Sequence, residues 1–206
     1  MTADVEGANG GSDWLACPQA VASVGRLDAV LCGVVSAEDS QLRQMAHYLV
    51  ARSGKRLRPA LLFLAATFGE YEEDALLRAA AALELIHVAS LYHDDVMDRA
   101  PMRRGDASVN MRWGNASATL AGTFLFARAT MLMSSLGDLP NRLTSEASCN
   151  LCAGQLKEVE NAYNQEMTDE EHLDILRRKT ATLFELPCRL GALLADAPAS
   201  VADALA

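Results

Sequence analysis

Aromatic residues are scarce in this chain of 206 residues, at 5%, and it has only 13 glycines and 6 prolines. Sheets draw on aromatic and β-branched side chains, whereas here the 50% hydrophobic content is carried mostly by Ala and Leu. That balance points away from sheet and predicts an all-α fold. Positive charge is also lacking: the formal net charge is −9. Nucleic acid and anionic membrane surfaces both reward a basic face, so neither is an expected partner. No apolar stretch approaches the roughly 20 residues of a membrane span, which predicts no stable membrane insertion. The five cysteines, Cys17, Cys32, Cys149, Cys152 and Cys188, are an odd number in a chain without a secretory start, and a cytoplasmic location is expected.

Residues 1–12, "MTADVEGANGGS", are small and polar and read as a disordered lead-in. A helical domain is expected over 13–195. Apolar residues recur at three- and four-residue spacing over 13–34, 38–52, 56–68, 72–98, 114–135, 141–166 and 169–195, without strand alternation or a fixed repeat. Pro101 and Gly105 end the fourth of these, and "GDLPN" at 137–141 divides the fifth from the sixth. Thr168 with Glu171 forms a capping-box pattern, and Pro187 is expected to kink the last helix. Residues 196–206 carry no packing signal and are expected to be unstructured.

What is present in excess is local charge. The stretch "LYHDDVMDRAPMRRG" sets Asp94, Asp95 and Asp98 at the foot of the fourth helix. Asp94 and Asp98 share a helical face, with Asp95 about a quarter turn round. Like charges at that spacing repel, and a helix C-terminus already disfavours anions. Two readings answer this. A hard cation such as Mg²⁺, shared with a substrate phosphate, could sit between Asp94 and Asp98. Alternatively the helix end is solvated and the aspartates pair with Arg99, Arg103 and Arg104.

In "SGKRLRP", Lys55, Arg56 and Arg58 open the third helix, where free N–H groups and the cations would together favour an anion. A solvated basic turn is the plainer reading of that segment alone. Taken with Arg103 and Arg104, it predicts a pocket where a metal neutralises acid and arginine clamps phosphate, an arrangement suited to diphosphate chemistry. Cys149 and Cys152 form a lone CxxC, without a second pair for zinc, and are expected to be buried helix residues. Arg177, Arg178 and Lys179 read as a mostly solvated face.

The chain resembles the trans-isoprenyl diphosphate synthases, the polyprenyl synthetase family. The resemblance is carried in order by "SGKRLRP", "LELIHVASLYHDDVMDRAPMRRG", "SVNMRWGNASATLAGTFLFARA", "AGQLKEVENAYN" and "LRRKTATLFELPCRLGALLA". It implies an isoprenoid-synthase-type helical bundle around a central cavity, here lacking the last helices. It implies Mg²⁺-dependent condensation of isopentenyl diphosphate with an allylic diphosphate. Asp94 and Asp98 would hold the metal, with Asp95 in support. Lys55, Arg58, His87 and Arg104 match the isopentenyl diphosphate site, and Arg103, Lys179 and Thr180 match contacts to the allylic diphosphate. Ala89 and Ser90, with Ile86 and Leu83 deeper, occupy the places that set chain length, and their small foremost side chains imply a long product.

Two departures accompany the resemblance. The family's second aspartate-rich motif does not occur, and Thr123 stands where aspartate is usual. An enzyme completed by another chain is therefore weighed against a catalytically inactive remnant serving as a regulatory or scaffold subunit. By family analogy the chain would form a homodimer or pair with a full-length homologue.

Overall fold

A computed structural model describes residues 17–52 and 54–205. The expected lead-in at 1–12, and the first residues of the helical domain that follow it, lie outside these. The helices are α1 (Pro18–Val34), α2 (Ser40–Val50), α3 (Leu57–Ala66) and α4 (Glu73–Met97). A hairpin of β1 (Met102–Arg103) and β2 (Asp106–Ala107) follows, then α5 (Val109–Trp113), α6 (Asn115–Ser134), α7 (Asp138–Glu160) and α8 (Asp169–Leu176). A π-helical segment, Arg177–Ala181, leads into α9 (Thr182–Leu194), and α10 (Ala199–Leu205) completes the series.

Helix α4 is the axis of the bundle. Its Ala79–Ala82 run and Leu76, Leu83, Leu85 and Val88 are all fully buried, so it is enclosed on nearly every side. α1, α3, α6 and α9 pack around it, with α6 making the broadest contact. α3 and α9 come so close that a Cβ on Gly191 would lie 2.2 Å from the Leu62 carbonyl oxygen. Only glycine permits that approach. Contrary to the sequence expectation, α4 and α6 are each long and apolar enough to cross a membrane by length and composition, because isolated charges do little to an Ala-rich average. Of the apolar window in α4, 78% is buried inside the bundle, against 33% in α6. α4 is therefore satisfied by protein, as a core helix is.

Helix boundaries follow capping chemistry more closely than periodicity. Asp39 caps α2 by accepting from the Leu42 N–H at 2.7 Å, and Thr168 and Glu171 form the expected reciprocal box on α8. α7 starts earlier than expected: Gly137, at φ 109°, precedes it, and Pro140 sits in its first turn, where a missing N–H costs nothing. The expected helix at 169–195 is divided by the π-helical segment, across which Thr182 Oγ1, at the start of α9, donates to the Arg177 carbonyl. The irregularity thus lies upstream of Pro187, which sits within α9. The tail is a correction: α10 is about two helical turns packed on α9, with the Pro198 carbonyl accepting from Val201 and Ala202 N–H.

The fold also buries one charge cluster. Arg56 takes a left-handed backbone (φ 47°) before α3 and donates to Glu84 on α4, to Asp28 on α1 at 2.9 Å and to the Val50 carbonyl at 2.9 Å. Arg56 and Glu84 are both under 10% exposed. Removing one member of a buried pair strands the other. Glu84→Ala is expected to lower unfolding free energy by about 3–5 kcal/mol, measured by urea denaturation; a loss under about 1 kcal/mol, the size of an exposed pair, would contradict the assignment.

Candidate active site

The foot of α4 resolves its three aspartates differently. Asp95 turns inward and is fully buried, with Arg103 Nε donating to its Oδ1 at 2.9 Å and Arg103 Nη2 to the same oxygen. Its Oδ2 is buried without a partner. The pairing with Asp95 raises the Arg103 pKa. Asp95 therefore positions Arg103, and it is removed from the outward-facing acidic pair. Asp98 is exposed, and Asp94 is partly buried.

The chain can fold back here because Arg104 and Gly105 both have positive φ, 52° and 84°, the conformation a two-residue hairpin of the tightest kind requires. An arginine in that region costs about 1–2 kcal/mol. Several contacts hold it. Arg104 Nη1 donates to the carbonyls of Arg52, at 2.7 Å, and Leu49, at 3.3 Å. Tyr48 Oη donates to the Ala107 carbonyl at 2.8 Å, and Arg52 Nε to Asp106 Oδ2 at 2.8 Å. Ser108 Oγ closes the loop on the Ala100 carbonyl.

This hairpin carries Arg104 to the start of α3, against Gly54 and near Arg58 and His87. His87 is pushed down to about 3, first by burial and then by Arg58, Arg104, Arg103 and Arg56. Burial also lowers Arg58 and Arg104. The Arg58 Nε has no partner, and its guanidinium lies 4.8 Å from the Phe184 ring. Glu84 is the acid that offsets both arginines, and it already holds Arg56. The result is a partly buried cluster of positive charge that shares Glu84 as its acid. An anion placed there would relieve every member. Lys55 is exposed, two residues before α3.

Along the same face of α4, toward its C-terminus, lies an apolar cleft of about 250 Å³, lined by Ser90, His93, Asp94, Phe126, Leu151 and Leu156 among others. A polar groove adjoins it, bounded by Asp98, Arg99, Glu158, Tyr163 and Lys179, with Met97 and Val159 shared between the two. Lys179 donates to Glu158. Asp94 has its pKa raised, first by burial and further by Asp98 and Glu158, with Lys179 opposing. Glu158 and Gln155 escaped the sequence reading, because only the fold brings α7 against Asp94 and Lys179.

Of the expected residues, the structure gathers Arg58, His87 and Arg104 in one cluster and Asp94, Asp98 and Lys179 around the adjoining cleft and groove. Thr180 is exposed and lines a separate shallow groove with Leu173, Leu176 and Arg177. Ser90 reaches the cleft, whereas Ala89, Ile86 and Leu83 are packed in the core. Thr123 is exposed and donates to the Thr119 carbonyl. Cys149 and Cys152 correct the expectation: both are exposed, Cys152 at the edge of the packed stripe of Thr144, Ala147 and Leu151, and Cys149 on the side of α7 away from it.

The polyprenyl synthetase family model matches residues 39–206. The chain belongs to the polyprenyl synthetase family. It is 38% identical over 172 residues to heptaprenyl diphosphate synthase component 2 of Geobacillus stearothermophilus, covering 83% of this chain and 54% of that protein. It is 36% identical over 170 residues to the octaprenyl diphosphate synthase of Escherichia coli K12, covering 82% and 53%. The geranylgeranyl pyrophosphate synthase structure from Lactobacillus brevis superposes with a TM-score of 0.87 at 33% identity, over 92% of this chain and 60% of that one. The Caulobacter crescentus polyprenyl synthase, complexed with calcium and isoprenyl diphosphate, gives 0.86 at 31% identity, over 90% and 57%. The chain spans about half the length of the curated relatives it matches.

The His87 shift has a definite sign. Between its ordinary 6.5 and about 3 the unfolded chain carries a proton on His87 that the folded chain refuses, so this group removes stability as pH falls through that window. NMR titration is expected to show His87 neutral down to about 3, and inorganic diphosphate is expected to raise that midpoint. A midpoint near 6.5, unmoved by diphosphate, would contradict the cationic pocket.

Proposed function

We propose that the chain is a trans-polyprenyl diphosphate synthase polypeptide, condensing isopentenyl diphosphate with an allylic diphosphate. The observation that carries this reading is the pairing of outward carboxylates with a hydrocarbon-sized cleft, with a partly buried arginine cluster two turns deeper along the same face of α4. An allylic diphosphate is itself a charged head on an apolar tail. Asp94 at the cleft mouth and Asp98 in the adjoining groove suit the head, and Ser90, Phe126 and Leu151 suit the tail.

Mg²⁺ fits the residues present. Asp94 and Asp98 share a helical face, and their mutual repulsion is a deficit a cation would remove. Among the described residues no three His, Cys, Asp or Glu side chains converge into a metal cage. Two carboxylates are what Mg²⁺ takes when phosphate oxygens and water complete its shell. When bound there, the ion would offset the charge that builds on the departing diphosphate. Lys179 adds positive charge beside the same head, and Arg103, held by Asp95, presents its remaining N–H groups. Arg58, Arg104 and neutral His87 orient isopentenyl diphosphate, Arg58 and Arg104 by charge and His87 by hydrogen bonding. Its double bond then attacks the allylic carbon as diphosphate leaves, and proton loss restores neutrality.

A product longer than geranylgeranyl is proposed from small Ser90 at the cleft and from relatives named for heptaprenyl, octaprenyl and nonaprenyl products. Because the described acidic residues hold a metal from one face only, the chain is proposed to work paired, as a homodimer or with a longer homologue. Two relatives bear the name "component 2", which supports the pairing.

Purified protein, alone and mixed with a full-length synthase, is to be incubated with Mg²⁺, labelled isopentenyl diphosphate and farnesyl diphosphate. Elongated products beyond the geranylgeranyl length are expected, with Asp94→Ala slowing turnover by at least about a hundredfold. No Asp94-dependent elongation in either arrangement would overturn the enzymatic reading and leave the subunit role.

A further inference from the structure

Cys152 stands apart from the chemistry described so far. It is exposed, and it lines the apolar cleft beside Asp94 and His93. Three positions further along α7, on the same helical face, Gln155 lines the same cleft. Gln155 is only 8% exposed, and neither its Nε2 nor its Oε1 has a hydrogen-bond partner. A buried amide left unpaired costs free energy, so an uncharged polar group entering the cleft would be held. Thiol, amide and apolar wall therefore lie together.

We propose that Cys152 is a covalent modification site for apolar-tailed α,β-unsaturated carbonyl compounds, with Gln155 as the recognition element for the carbonyl oxygen. The tail packs on Phe126, Leu151 and Leu156. Gln155 Nε2–H donates to the carbonyl, drawing electron density from the conjugated double bond. The Cys152 sulfur, having given its proton to solvent, forms a C–S bond to the β-carbon. The displaced π pair moves to the carbonyl oxygen as an enolate, which takes a proton from solvent at the α-carbon. The sum is addition of thiol across the double bond, with no oxidant and no leaving group. Cys149, exposed on the same helix but outside the cleft lining, is the internal reference. The inference rests on the cleft and its two side chains, independently of whether the cleft also receives a prenyl chain.

The test is peptide mapping by mass spectrometry after limited treatment of the full chain with N-ethylmaleimide or with an N-alkylmaleimide of longer tail. The longer reagent is expected to favour Cys152 over Cys149, by roughly fifteenfold for two additional buried methylenes. N-ethylmaleimide should distinguish them little. Gln155→Leu, which keeps the cleft apolar, should slow Cys152 labelling while leaving Cys149 and the circular dichroism spectrum unchanged. Equal labelling of both cysteines by the longer reagent overturns the site, and an unaltered rate in Gln155→Leu overturns the role of the amide.

Discussion

The ion pair between buried Asp95 and half-buried Arg103 decides how every other charge at the foot of α4 is used. Three aspartates within five positions cannot all face one solvent-filled pocket without mutual repulsion. Turning Asp95 into the protein gives its charge a fixed partner, and the same contact folds the hairpin back over α2. That leaves Asp94 and Asp98 outward at the foot of the helix. It carries Arg104 toward Arg58 and His87, two turns deeper along the same face. One internal pair thus sets an acidic edge beside a basic cluster along a single helix.

The separation makes the site incomplete by itself. In the basic cluster, the pKa values of Arg58 and Arg104 are lowered by burial, and His87 is denied a proton by burial and by the neighbouring arginines. On the acidic side, Asp94 is raised by burial and by its neighbours Asp98 and Glu158. Each half carries strain of opposite sign, and a ligand carrying both phosphate and metal would discharge both. The apolar cleft between α4, α6 and α7 gives the hydrocarbon part of such a ligand somewhere to go. His93 marks how closely that wall is built: it stacks on Phe126 and lies so near α6 that a Cβ on Gly122 would fall 2.5 Å from its Nε2.

Much of this was legible in the chain. The helical content, the punctuation by Pro101 and Gly105 and the capping box at Thr168 depend on local chemistry that periodicity and residue type report directly. Arg58, His87 and Arg104 were reachable because ordered motifs tie distant segments together. The inward turn of Asp95 was not, since helical spacing puts it a quarter turn from Asp94 without saying which way the core lies. Glu158 and Gln155 come near Asp94 only when α7 packs on α6 and the π-helical segment. Cys149 and Cys152 were misjudged because an Ala- and Leu-rich setting implies burial, whereas the stripe of α7 that packs runs through Thr144, Ala147 and Leu151. α10 was missed because seven residues give too short a window for a period to show.

The most direct test is thermal unfolding of the wild-type chain with Mg²⁺ alone, inorganic diphosphate alone, and both together, repeated on Asp94→Asn. If a shared ligand reconciles the two charged halves, the pair raises the melting temperature by more than the sum of the separate additions, and Asp94→Asn abolishes that excess. Strictly additive shifts, or an excess that survives in Asp94→Asn, would contradict the account.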